Sequence, residues 1–238
     1  MMSSYKKRHS GRSFEETRPI SAKVGVVKNA DGSAEFKIGN TTAIAAVYGP
    51  RELFPKFMQD PSKGVLRVNY NMMPFSGDGD RVKPGPSRRS KEISQVTKLA
   101  LLPFLDLSRF PNAVVDVFIE LSETDAGSRC AGICAASMAL AHAGIDMEDL
   151  VGAVSCGHVD GQIVVDLDGE EEHTPDVHVA DIPIAMAPRL GKISLMQCDG
   201  FVKPEALIEA IQKVKPAIEK IVEVQKQALK DYYKGELK

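Results

Sequence analysis

The sequence predicts an α/β (α+β) protein built on mixed sheet, and three observations carry that expectation. Periodic segments follow one another as strands, helix, strand, helix, strands, helix. Gly-containing turns join neighbouring alternating runs, which means antiparallel pairs and excludes a purely parallel, doubly wound sheet. A β-branched strand, Asn112 to Glu123 (NAVVDVFIELSE), runs through the turn TDAG into SRCAGICAASMALAHAG, a helix of small apolar residues. No repeat of solenoid length is present. A chain of 238 residues has ample length for a large core and is read as a single domain over 1–238.

Taken in order, residues 1–19 are polar and locally basic, and are expected to be a loosely held extension whose Lys6, Lys7 and Arg8 either touch RNA or form a solubilising tail. SAKVGVVKNADGSAEFKIGN supplies two alternating runs around Asp31-Gly32, a hairpin signal. TTAIAAVYGP is almost wholly apolar, as for a strand buried on both faces. VLRVNYNMMPF alternates, with Arg67 on one face and Tyr70 on the other. SGDGDRVKPGPSRRS reads as a surface loop. A helix follows from Ser87 towards Leu107, kinked or ended by Pro103. After the small-residue helix, stopped by Gly144, residues 146–150 are expected to start a helical turn. Hairpins follow about Asp160-Gly161 and Leu190-Gly191. The segment 203–235 is an amphipathic helix with a buried stripe of Leu207, Ile208, Ile211, Val214, Ile218, Ile221 and Val222.

Composition narrows the function. A formal net charge of −2 excludes a generally basic nucleic-acid binder but is compatible with a local basic channel. Cys130, Cys134, Cys156 and Cys198 form no CxxC pair, and Cys130 with Cys134 reads as small core residues. No stretch reads as a secretory leader and the longest apolar run, broken by His142, is too short for a bilayer, so a cytoplasmic protein without membrane contact is expected. There is no P-loop, GxGxxG, HExxH or GxSxG pattern.

Three polar clusters remain. Gly127-Ser128-Arg129 opens the small-residue helix, where unpaired amides and the helix dipole favour a phosphate-like anion. The same residues also fit an ordinary cap, with Asp125 or Ser128 as N-cap and Arg129 in solvent. Arg88 and Arg89 stand at a second helix start, where cations oppose the dipole unless an anion is bound, or else decorate a solvated turn. Asp176 and Asp181 approach the strand PIAMA, where paired carboxylates suit Mg²⁺ or general-acid work; Glu170-Glu171-Glu172 reads as solvated acidic loop. Arginines, a helix N-terminus and carboxylates together point to phosphoryl chemistry without a covalent enzyme nucleophile.

KNADGSAEFKIGNTTAIAAVYGP, PSRR, TDAGSRCAGICAASMALAHAGI and ADIPIAM, in that order, resemble the ribonuclease PH family from about Gly11 to Phe201, and most closely the catalytic ribonuclease-PH-type subunits of archaeal exosomes. The resemblance implies the ribosomal-protein-S5-domain-2-like ribonuclease PH fold. It also implies a phosphate-dependent 3′→5′ exoribonuclease that releases nucleoside 5′-diphosphates and runs in reverse as an RNA-tailing enzyme. By the same resemblance Gly127, Ser128 and Arg129 hold phosphate, Arg88 and Arg89 grip the 3′-terminal RNA phosphates, and Arg67 and Tyr70 touch RNA. Asp181 is the second active-site carboxylate. The first normally lies six residues earlier, where this chain has Pro175; Asp176 takes that role here, with Glu172 in reserve, and Mg²⁺ would sit on the pair. Implied partners are single-stranded RNA, a homologous non-catalytic ribonuclease-PH-type subunit completing a heterohexameric ring, and S1/KH-type RNA-binding caps. A homohexameric ribonuclease PH that matures tRNA 3′ ends and a non-catalytic RNA-binding ring subunit are the alternatives.

Overall fold

Two sheets packed on one buried helix organise the computed structural model, which describes residues 5–79, 81–174 and 177–236. The first sheet holds β1 (Ile20–Val24), β2 (Gly32–Ile38), β3 (Thr41–Glu52), β4 (Val65–Met72) and β5 (Ala113–Glu123), in the order β1-β2-β3-β5-β4. The second holds β6 (Gly152–Val159), β7 (Gln162–Val165), β8 (Val179–Ala187) and β9 (Lys192–Met196), in the order β7-β6-β8-β9. Helices are α1 (Arg88–Leu101), α2 (Ser128–His142), the single turn α3 (Gly169–Glu172) and α4 (Pro204–Glu236). Named strands pair antiparallel except β4 with β5, joined by the crossover that contains α1. The sheet is mixed, as the hairpin signals predict.

Helix α2 lies between the sheets, against β2, β3 and β5 on one side and β6, β8 and α4 on the other. Every residue from Cys130 to Leu140 is buried. Its small side chains follow from that position. A Cβ at Gly132 would stand 3.3 Å from Ile119 Cγ2 and 3.4 Å from Tyr70 Cε2, so even alanine crowds this contact. Buried side chains of both sheets, α1, α2 and α4 merge into one continuous core. Cys130, Cys134 and Cys156 are free, buried thiols within it. Among the described residues no helix is long and apolar enough to cross a membrane.

Several local expectations are corrected. β1 and β2 are joined by the longer link 25–31, and the tight turn falls instead at Gly39-Asn40, where β2 meets β3. β3 is fully buried on one face only, because α2 covers one side of its sheet. α1 stops at Leu101 and passes into a 3₁₀ turn, Leu102–Phe104, at Pro103. Residues 146–150 form no helix: Met147 bridges Leu105 and the Glu148 amide donates to the Phe104 carbonyl at 2.8 Å. Ile208 is 58% exposed, since it sits a third of a turn off the stripe formed by Ala210, Val214, Ala217, Ile218 and Ile221. The largest correction concerns the N-terminal segment: Tyr5, Arg8, Thr17 and Arg18 are all buried.

Candidate active site

A cavity of about 660 Å³ opens on the seam between the two sheets, walled by the start of α2, the start of α1, and the ends of α3 and β8. Its first wall is the turn that joins β5 to α2. The Thr124 amide donates to the Ser76 carbonyl at 2.7 Å. The Thr41 hydroxyl accepts from the Asp125 amide at 2.9 Å and donates to the Ala126 carbonyl at 2.8 Å. Ala126 (φ 52°) and Gly127 (φ 65°) are consecutive left-handed residues, a strained conformation for alanine that these bonds hold in place. Gly127 is the N-cap of α2 and no side chain caps the helix. Neither Asp125 nor Ser128 takes the cap role, so the first-turn amides are left to an anion.

Arg129 reaches into the same space. Its Nη2 lies 3.5 Å from Glu92 Oε2, and its Nε is buried without a hydrogen-bond partner. Beneath the turn, Tyr70 on β4 is 3% exposed, and its hydroxyl is likewise buried without a conventional partner. Burial raises the Tyr70 hydroxyl pKa, opposed by Ser128, Arg89 and Arg129 nearby. Two unpaired donors and an uncapped helix therefore converge on one spot. An unpaired buried donor costs about 1–3 kcal/mol, a cost that a bound oxyanion removes.

The opposite wall is acidic. Asp181 on β8 accepts a hydrogen bond from the Ser155 hydroxyl of β6, and its backbone pairs with Asp199 at 3.0 and 2.9 Å. Burial is the chief reason that its carboxyl titrates above the ordinary 3.8; the Asp199 charge adds to the rise, and Arg129 and Arg89 oppose it. Glu172, at the end of α3, lines the cavity as well. Loss of water there raises its carboxyl above 4.5, with Asp181 as the next cause. The motif Glu170-Glu171-Glu172 is thus not one solvated loop. Glu171 is fully buried, and Glu172 lines the cavity.

The third wall is the N-terminus of α1, closed by a reciprocal Ser87–Ser90 capping box with bonds of 3.0 and 2.8 Å. Arg89 lines the cavity, whereas Arg88 is exposed outside its lining. No acid accompanies them in the first turn. Arg67 and Tyr70 part company as strand alternation requires: Arg67 pairs with the buried Asp116 at 2.6 and 2.9 Å on the other face of the sheet, with Arg51 on the same carboxylate. Asp176 lies outside the described residues. Among those residues no cluster of three or more His, Cys, Asp or Glu is arranged to hold a metal by itself.

Gly127, Ser128, Arg129, Arg89, Tyr70 and Asp181 therefore meet in one cavity; Glu172 joins them, and Arg88 and Arg67 do not line it. Residues 16–146 match domain 1 of the 3′ exoribonuclease family, ribonuclease PH, and residues 149–213 match its domain 2. The chain is 49% identical over 227 residues to Exosome complex component Rrp41 of Thermococcus kodakarensis, covering 95% of this chain and 90% of that one. The Pyrococcus furiosus protein of the same name is 50% identical over 227 residues, with 95% and 89% covered. That of Nitrosopumilus maritimus is 45% identical over 229 residues, with 96% and 92% covered. A crystal structure of rice Rrp46 is similar with a TM-score of 0.81 at 25% identity, across 93% of this chain and 100% of that one. With family matches on both sides of the seam that forms the cavity, the chain belongs to the ribonuclease PH family of 3′ exoribonucleases.

Proposed function

We propose that this chain is the phosphorolytic subunit of an exosome-type ring, using inorganic phosphate to shorten RNA from its 3′ end. The observation that carries the reading is the uncapped N-terminus of α2, with the buried, unpartnered Arg129 Nε beside it, facing the Asp181 carboxyl across the cavity. A phosphate dianion held by the α2 amides, Ser128 and Arg129 is presented to the last phosphodiester, which Arg89 holds while Arg88 guides the incoming strand at the rim. One phosphate oxygen attacks phosphorus, the bond to the penultimate 3′-oxygen breaks, and a nucleoside 5′-diphosphate leaves. The departing 3′-oxygen needs a proton. A carboxyl whose pKa is raised by burial and a like-charged neighbour is suited to supply it, which assigns Asp181 and Glu172 to that wall.

Two carboxylates on one wall, with the Asp181 charge raising the Glu172 pKa, leave negative charge uncompensated, a donor set that fits Mg²⁺ shared with substrate phosphates. Asp181 and Glu172 would hold it, and its charge would stabilise the leaving oxygen. The products, a phosphoanhydride and a shortened RNA, are close in free energy to the reactants, so excess nucleoside diphosphate should drive tailing. The relatives support a ring with other ribonuclease-PH-type subunits, and in this reading single-stranded RNA is the substrate that would enter it. The test is a 3′-end-labelled RNA incubated with the assembled protein, Mg²⁺ and inorganic phosphate. The expected product is a labelled nucleoside diphosphate, formed only with phosphate; a monophosphate product, or equal degradation in phosphate-free buffer, overturns the reading.

A further inference from the structure

Among the described residues none of the N-terminal segment lines the cavity, yet the segment is buried against the two pieces of chain that shape it. Arg8 is 2% exposed. Its guanidinium forms a two-pronged pair with Glu171, at 2.7 Å for each prong, and donates to the carbonyls of Val165 at 2.8 Å and Asp166 at 2.7 Å. The Tyr5 hydroxyl donates to the same Glu171 carboxylate at 2.8 Å. Arg12 reaches Asp168, the N-cap of α3, at 2.8 Å. Glu171 and Glu172 are adjacent, so whatever fixes the first sets the position of the second.

Arg18 performs the matching task at the phosphate turn. Its Nε and Nη2 grip both oxygens of Asp166 at 3.0 and 2.8 Å, and its Nη1 donates to the Asp125 carbonyl. The Asp125 side chain in turn accepts from the Gly169 amide, the first residue of α3, at 3.0 Å. One connected network thus ends at the left-handed turn that opens α2 and at the helical turn that carries Glu172. Buried ion pairs are a poor source of stability compared with apolar packing, but fork-shaped pairs define geometry closely. What this network supplies is the distance and angle between the phosphate seat and the carboxylate wall.

We propose that the segment Tyr5 to Arg18 is a positioning clasp, in which Arg18 fixes the phosphate-binding turn and Arg8 fixes α3 and hence Glu172. The proposal rests on the function proposed above and deepens it. In the full-length protein, assembled with the subunits it purifies with, Arg18→Lys keeps the charge and removes the fork. Misplacement of reacting groups by about 1 Å costs on the order of a hundredfold. Because it loosens the turn that binds the anion in ground state and transition state alike, Arg18→Lys should raise the KM for inorganic phosphate at least tenfold while kcat at saturating phosphate stays within about threefold. Arg8→Lys should do the reverse, lowering kcat about tenfold or more and leaving the phosphate KM within about twofold. The double variant Arg18→Gln/Asp166→Asn removes both charges together and guards against a fold lost to one unpaired charge. Amide hydrogen exchange at residues 126–130 should quicken in the Arg18 variants. Unchanged exchange with wild-type phosphate kinetics overturns the clasp and leaves phosphorolysis standing, as does a loss of kcat, RNA binding and thermal stability in parallel. Phosphate-independent cleavage by the wild type overturns the function instead, and exchange with calorimetric binding of inorganic phosphate then decides the clasp.

Discussion

Arg129→Ala should uncouple activity from stability. In the resting structure the guanidinium is poorly used: Nη2 stands 3.5 Å from a Glu92 carboxylate that is 44% exposed, and Nε has no partner. An exposed, long ion pair contributes about 0–1 kcal/mol. For a chain of this size that is a shift in unfolding temperature of no more than about 2–4 °C. In the reaction the same side chain offers two charge-assisted hydrogen bonds to an oxyanion. At roughly 1.5–3 kcal/mol each they amount to about 3–6 kcal/mol, and with about 1.36 kcal/mol per factor of ten the expected loss in kcat/KM is on the order of 10²–10⁴. The α2 dipole, worth about 0.3–1 kcal/mol and at most about 2, cannot replace it. Arg129→Lys should fall in between, since it keeps the charge without the planar fork. The assay is nucleoside diphosphate release at varied phosphate, alongside thermal unfolding of the assembled protein. A loss below tenfold at unchanged unfolding temperature would refute a phosphate role for Arg129. A large drop in unfolding temperature would show the guanidinium to be a structural brace instead.

Glu172→Gln should lower kcat about 10²-fold or more, and the same measurement on Asp176→Asn, by single-turnover RNA cleavage, decides which acid faces Asp181. Asp181→Asn should abolish turnover yet raise the unfolding temperature at pH 7. The native carboxyl titrates above 3.8, so between that value and its raised one the folded state binds more protons than the unfolded chain. Stability contributed by this group therefore falls as pH rises through that window, and the advantage of Asp181→Asn should vanish below pH 3.8. Gly152→Val should destabilise by about 1–3 kcal/mol in urea unfolding, because a Cβ there would come within 2.9 Å of Ile218 and Val222 on α4.

What the sequence shows clearly is what is local. The strand–turn–helix from Asn112 through α2 is legible because β-branched periodicity, Gly127 and a run of small residues all lie within one contiguous stretch. The uncapped helix start that lines the cavity lies in the same stretch. That α2 lacks a side-chain cap could not be read there, since it depends on the Asp125 carboxylate accepting from the distant Gly169 amide while Thr41 and Arg18 hold its backbone. The N-terminal segment reads as a polar tail for the same reason: Arg8 finds Glu171 across 163 residues, and nothing in KKRHSGR announces a buried partner. Glu171 and Glu172 look alike in sequence and separate only because a single helical turn points one inward and the other to the cavity. Tyr70 reads in sequence as an RNA contact; the structure buries it at the base of the cavity, with its ring against Gly132 of α2.

The composition of α2 also explains why one cavity holds groups of opposite sign. The arginines and the helix N-terminus belong to α1 and α2, on the side of the first sheet; the carboxylates belong to α3 and β8, on the side of the second. Like-signed groups on one wall repel, and each wall alone would destabilise its own half. Facing each other across a narrow gap, they compensate: Arg129 and Arg89 draw down the Asp181 pKa that burial raises. The width of that gap is set by what lies between the sheets. With Ala, Gly, Ser and Cys along α2, the helix lies close enough to β6 for Cys134 Sγ to accept from the Ala153 amide at 3.2 Å. Larger side chains along α2 would push β6 and β8 away from β5, moving Asp181 from Arg129 without altering either residue. The small-residue helix is thus as much a determinant of the chemistry as the arginine at its start, because the separation between Arg129 and the Asp181 wall is built into its packing.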